Sequence, residues 1–118
     1  MTHNQIIQNL KKKLPQNVFF HYLPKSRYNS NPFDCLLIAG ETHCIEVKCG
    51  YDKLKPHQRA SLEKASNASD FVRSWELRGG IKERGQLKRD YYELLTPDGY
   101  LILAGNMNQI VNFLTGEK

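Results

Sequence analysis

A single α/β domain, a mixed β-sheet with helices on its faces, is the fold class this sequence predicts. Three observations predict it: helical spacing of apolar residues near both ends, dense β-forming runs between them, and a central pair of apolar strands joined by a polar turn. The 118 residues leave room for one core, and 40% hydrophobic content is ordinary for a globular chain.

In chain order, residues 4–14 form a short helix, with Ile6, Ile7, Leu10 and Leu14 at helical spacing and Pro15 ending it. Residues 18–23, Val-Phe-Phe-His-Tyr-Leu, are a dense β-forming run and the first strand. Residues 25–31 are polar and turn-rich; Tyr28, beside Arg27, either touches a sugar-phosphate backbone or packs as a lid. Residues 32–48 read as a buried hairpin, bounded by Asn-Pro before, turning through Ala-Gly-Glu-Thr and followed by Cys-Gly. Pro56 suits the first turn of a second helix, whose Gln58, Leu62 and Ala65 share an inward face, and residues 67–70 end it. Residues 71–77 alternate as a strand with Phe71, Arg73, Trp75 and Leu77 on one side, Trp75 serving as packing rather than as a base-stacking surface. Residues 79–89 hold Gly79, Gly80 and Gly85 with little periodicity, and read as a long basic loop of the kind that serves binding. A second hairpin, 91–95 and 100–104, turns across Thr96-Pro97-Asp98-Gly99. Residues 106–114 close the chain as an amphipathic helix, with Met107, Ile110, Val111 and Leu114 apolar and Gly116 beyond its end.

Three charges interrupt the central hairpin. Side chains alternate along a strand, so Glu46 and Lys48 project to one face while Ile45, Val47 and Cys49 project to the other. A turn of roughly three residues sets Asp34 opposite Glu46 on that same face. Burying charges costs several kcal/mol each unless they are paired or hold a cation. Two carboxylates plus a backbone carbonyl make an oxygen site suited to Mg²⁺ or Mn²⁺, and a lysine beside it can orient or deprotonate a water and offset developing charge.

Pro32-Phe33-Asp34 and Glu46-Val47-Lys48 resemble the Pro-x-Asp … Glu-x-Lys signature of the PD-(D/E)XK nuclease superfamily. Residues 55–62 are similar to the helix that follows in VRR-NUC-type and Holliday-junction-resolvase-like members, where a glutamine points back toward the metal; Gln58 matches that position. The resemblance covers residues 30–75 and implies a restriction-endonuclease-like core. It implies Asp34, Glu46 and the Val47 carbonyl as metal ligands, Lys48 acting on the water, and Gln58 orienting Lys48 or that water. Relatives of this type often carry an extra acid on the first helix, where this chain offers only Gln5 and Gln8, which leaves the number of metal ions open.

The formal charge is +5, and its distribution points to a polyanion. One basic block holds Lys11, Lys12, Lys13, Lys25 and Arg27; a second holds Arg78, Lys82, Arg84, Lys88 and Arg89; Lys53 and Lys55 flank the presumed metal site. The blocks suggest two edges of a DNA-binding groove, although Lys11 to Lys13 equally suit a solvated helix end. Three cysteines, Cys35, Cys44 and Cys49, fit a reducing compartment, Cys35 and Cys44 as small core residues on adjacent strands. Neither their spacing nor that of the histidines suits structural zinc. No apolar run approaches the roughly 20 residues that cross a bilayer, and no signal region opens the chain, so a soluble intracellular protein is expected.

The reading is therefore a Mg²⁺- or Mn²⁺-dependent endonuclease acting on DNA. So small a domain has little surface for reading a base sequence, which favours branched structure as the target. Cutting two strands symmetrically asks for a homodimer, with the surface around Tyr91, Tyr92, Tyr100 and the last helix as its interface. A nickase or flap nuclease, a non-catalytic nucleic-acid-binding module of the same fold, and an interaction protein are the alternatives.

Overall fold

The computed structural model describes residues 1–24 and 31–116; Lys25, Arg27 and Tyr28 lie outside them. Helix α1, His3–Lys13, starts at Thr2, whose hydroxyl accepts from the Gln5 amide while the Gln5 side chain accepts from the Thr2 amide. This reciprocal cap satisfies two donors that a helix start would otherwise leave open. Strands β1 (Phe19–Tyr22), β2 (Cys35–Ala39) and β3 (Glu41–Cys49) pair antiparallel in succession. Helix α2, Pro56–Asn67, then carries the chain to β4, Val72–Gly79, which lies parallel to β3. Strands β7 (Tyr92–Leu95) and β8 (Leu101–Gly105) continue the sheet antiparallel, and helix α3, Met107–Thr115, closes the fold with Gly116 in the left-handed region at its end. The six-stranded sheet runs β1-β2-β3-β4-β7-β8.

The sheet's two faces are treated differently. Ile6, Ile7 and Leu10 of α1 and Met107, Ile110, Val111 and Leu114 of α3 pack against Cys35, Leu37, Ile45, Val47, Trp75, Leu77, Tyr92 and Leu94 to form the core. On the opposite face α2 contributes Leu62 and Gln58 as its buried residues, and the Ser74 hydroxyl donates to the Leu62 carbonyl at 2.6 Å. One face is an apolar core; the other accepts polar groups under a single helix.

Several expectations need correcting. Residues 79–89 are not a featureless loop: β5 (Lys82–Glu83) and β6 (Gln86–Leu87) form a small antiparallel ribbon. Its two-residue turn, Arg84 at φ 53° and Gly85 at φ 78°, matches the twist of a tight hairpin, and Lys88 N–H continues the ladder to the Ile81 carbonyl at 2.8 Å. Phe71 lies outside β4 and is 72% exposed, because the strand begins one residue later, where Thr42 pairs with Val72. Tyr92, expected on an interface surface, is core, its hydroxyl accepting from Asn9 at 2.9 Å. Alternation along β7 turns Tyr92 and Leu94 inward together. Trp75 is buried and donates through Nε1 to His43 Nδ1 at 2.9 Å; burial lowers the His43 pKa, in keeping with a neutral ring that accepts this bond.

The end of β4 packs closely against α1 and β7. A Cβ at Gly79 would meet Ile6 at 2.9 Å and Tyr92 at 3.0 Å, and both of those side chains are fully buried. Overpacking a close-packed core costs about 1–3 kcal/mol. Gly79→Ala should therefore lower the thermal midpoint by about 4 °C or more, measured by circular dichroism; an unchanged midpoint would mean that α1 shifts freely on the sheet.

Candidate active site

The site forms where β2 and β3 part. Asp34 N–H donates to the Ile45 carbonyl at 3.0 Å, and two residues further along β3 the Val47 amide turns to the Asp34 side chain, donating to Oδ2 at 2.8 Å. The carboxylate thus takes the place of a backbone acceptor at the end of the ladder. The β2–β3 register sets Cys35 opposite Ile45, so Asp34 faces Glu46 across the strand pair, as alternation and a short turn require. Both are buried, at 2% and 1% exposure.

Glu46 is reached from above by α2. Gln58 Nε2 donates to Glu46 Oε1 at 3.3 Å, while Gln58 Oε1 accepts from the Lys55 amide at 3.0 Å. Pro56 begins α2 with its φ already set, so Gln58 falls in the first turn, and the helix N-terminus, with its partial positive charge, favours the anion below. The glutamine side chain thus bridges the Lys55 amide and the Glu46 carboxylate. Lys48, two residues beyond Glu46 on the same face, is half-buried.

Two features escaped the sequence reading. The first is His3, whose Nε2 lies 3.0 Å from Asp34 Oδ2. Helix α1 offers no acid here and sets a histidine on the aspartate instead. Its bond to Asp34 raises the His3 pKa above the ordinary 6.5, so Nε2 is the donor. Burial alone would push the Asp34 carboxyl up, but hydrogen bonds from His3, the Val47 amide and Glu46 outweigh it and lower it from 3.8 to about 2. The second is Glu76, which pairs in register with Glu46 on β4 and is buried. Arg78 compensates it, with Nε at 3.0 Å and Nη2 at 2.9 Å from Glu76 Oε2, and Nη1 donates to the Gly50 carbonyl at 2.6 Å. Spacing alone signalled this pair, since Glu76 and Arg78 are two apart on one strand.

The predicted DNA-contacting cations separate accordingly. Arg78, only 13% exposed, is occupied as a clamp between Glu76 and the loop after β3. Lys53 and Lys55 are exposed on that loop, leading into α2. Lys82, Arg84 and Arg89 are exposed on and beside the ribbon, while Lys88 bonds Glu83 at 3.3 Å and covers the Tyr91 ring at 3.9 Å. Lys11, Lys12 and Lys13 form the last turn of α1, the end remote from His3, where they complement the helix dipole.

Two buried carboxylates facing each other across a strand pair are the oxygen donors that a hard divalent cation prefers. Among the described residues no three His, Cys, Asp or Glu side chains form a closed cage. One or two carboxylates completed by water and substrate phosphate is the arrangement that Mg²⁺ favours.

The fold sets two buried carboxylates and a lysine at the end of a central hairpin in a six-stranded mixed sheet. Among solved structures it is shared with Hjc, a Holliday junction resolvase from the archaeal hyperthermophile Archaeoglobus fulgidus, at a TM-score of 0.56 and 11% identity, over 92% of this chain and 95% of that one. No family model matches the sequence, and neither does any curated protein.

The His3–Asp34 pair predicts a pH window of stability. Asp34, lowered in the fold, contributes fully above its ordinary 3.8 and loses this as pH falls toward 2. His3, raised in the fold, contributes fully below 6.5 and loses this as pH rises. In urea denaturation with EDTA present, the stability difference between wild type and His3→Gln should be largest between about pH 4 and 6.5; a difference independent of pH would show that His3 acts by packing alone.

Proposed function

We propose that this chain is a divalent-metal-dependent endonuclease that hydrolyses DNA phosphodiester bonds, with branched DNA as its preferred substrate. The observation that carries the reading is the convergence of Asp34 and Glu46 at the parting of β2 and β3, with Lys48 on the same face, in the fold shared with a Holliday junction resolvase.

Asp34, Glu46 and the Val47 carbonyl would hold Mg²⁺ or Mn²⁺, which when bound supplies Lewis-acid polarisation of the phosphate. Lys48 orients the attacking water and offsets charge developing on the phosphoryl oxygens. Gln58 keeps the Glu46 carboxylate aimed at the site. His3 neutralises Asp34 while no cation is present, so the buried carboxylates do not have to be carried as uncompensated charge. Affinity comes from exposed cations around the site, Lys53, Lys55, Lys82, Arg84 and Arg89, because phosphate neutralisation dominates binding to DNA.

With supercoiled plasmid and a four-way junction as substrates and Mg²⁺ present, Asp34→Ala or Glu46→Ala should reduce cleavage by about 100-fold or more while DNA affinity stays close to wild type. Gln58→Ala should cost about 10–100-fold, as loss of a group supporting a metal ligand does. Wild-type rates in the Asp34 or Glu46 variant would refute the assignment.

Symmetric cutting needs two sites, and we assign the second to a twofold copy docked along β8. That edge strand presents Leu101 and Ile102 at 54% and 45% exposure, with Tyr100 just before it at 69%, on the far side of the sheet from β1 and β2. Sedimentation at micromolar concentration should give a dimer that Ile102→Lys dissociates; a monomeric wild type that cuts both strands of a junction would overturn this arrangement.

A further inference from the structure

A cavity of about 450 Å³ opens between the end of the catalytic strand and the ribbon, walled by Met1, Cys49, Tyr51, Gly80, Lys82 and Leu87. Its size lies within the range of about 300–1,000 Å³ typical of small-ligand pockets. Cys49 directly follows Lys48, and its thiol donates to the Met1 carbonyl at 2.7 Å, so the start of α1 borders both this cavity, through Met1, and Asp34, through His3. Tyr51 stands three residues past Lys48, at most about 11 Å along the chain. A DNA strand whose phosphate sits at Lys48 therefore brings a base within reach of Tyr51.

The walls have the chemistry of a stacking site. Tyr51 is 75% exposed, yet its hydroxyl donates to the Lys82 carbonyl at 2.8 Å; the ring is fixed in orientation while its surface stays open. Leu87, opposite Lys82 in the ribbon register and 41% exposed, adds an apolar wall. Gly80 at φ 66° lets the backbone come close beneath, where a Cβ would press on Cys49 Sγ at 2.9 Å. Lys82 places positive charge at the cavity wall, where a sugar-phosphate backbone would run, and exposed Arg84 follows it in the ribbon turn. An oriented aromatic ring beside an electropositive strand is how proteins hold single-stranded bases without reading their identity.

We propose that this cavity receives one unstacked nucleobase of the bound DNA, within a few nucleotides of the phosphate that is cut. The inference rests on the endonuclease reading and supplies its preference for branched DNA. A base at a junction or bulge is already partly unstacked, whereas a fully paired duplex must be opened first, and extrusion is least costly where pairing is already lost.

The test is binding in EDTA, so that no cleavage intervenes. The full chain is titrated into two fluorescent oligonucleotide duplexes, one fully paired and one with a single unpaired 2-aminopurine. Wild type should bind the bulged probe about 10-fold more tightly and quench its 2-aminopurine. Tyr51→Ala, at a surface position, should abolish both preference and quenching without changing affinity for the paired duplex, and Tyr51→Phe should retain most of both. Equal affinity of wild type for the two probes, or a preference that survives in Tyr51→Ala, overturns the proposal; if plasmid cleavage with Mg²⁺ persists, the endonuclease reading stands without it. Absence of binding to either probe together with absence of cleavage would remove the endonuclease reading itself.

Discussion

The bond from the Val47 amide to the Asp34 carboxylate organises the candidate site of this molecule. Where β2 and β3 part, Val47 needs an acceptor, because a buried amide left unsatisfied costs about 1–3 kcal/mol. Asp34 supplies it with a charged oxygen. The same oxygen is the one His3 reaches from α1, so one carboxylate ties two strands and a helix together and directs the other acid, Glu46, toward the same space. The two buried carboxylates are thereby oriented by the sheet itself.

Holding so many charges at one end of the sheet requires compensation at every step. Glu46 is met by Gln58 and the start of α2, Asp34 by His3, and Glu76 by Arg78. Arg78 has the further effect of pinning the Gly50 carbonyl, which fixes the departure of the loop that carries Tyr51, Lys53 and Lys55. Removing one member of such a buried pair costs about 3–5 kcal/mol, so this face is polar by necessity rather than by tolerance. The apolar face, filled from α1 and α3, supplies the stability that lets the other remain polar.

Much of this was legible in the chain. Strand alternation and a short turn were enough to place Asp34 opposite Glu46, and Pro56 with Gln58 three residues past Lys55 announced α2 and its inward side chain. Less visible were contacts that local pattern does not encode. His3 and Asp34 are thirty-one residues apart, and nothing in the spacing of α1 singles out its first residue. The ribbon at 82–87 has strands of two residues, too short for alternation to register, and its Arg84-Gly85 turn lacks the Asn-Gly or Asp-Gly pair that signals a hairpin most strongly. Tyr92 was misplaced because Tyr91, just before the strand, is only half-buried, and two adjacent tyrosines do not disclose which one is core.

Direct binding of a metal ion tests the central claim, that Asp34 and Glu46 together form a divalent-cation site, independently of any activity. Titration of the full chain with Mn²⁺, followed by electron paramagnetic resonance of the free ion, should show saturable binding in wild type. That binding should be lost in Asp34→Asn and in Glu46→Gln and retained in Lys48→Ala. Equal Mn²⁺ affinity in wild type and both carboxylate variants would contradict it.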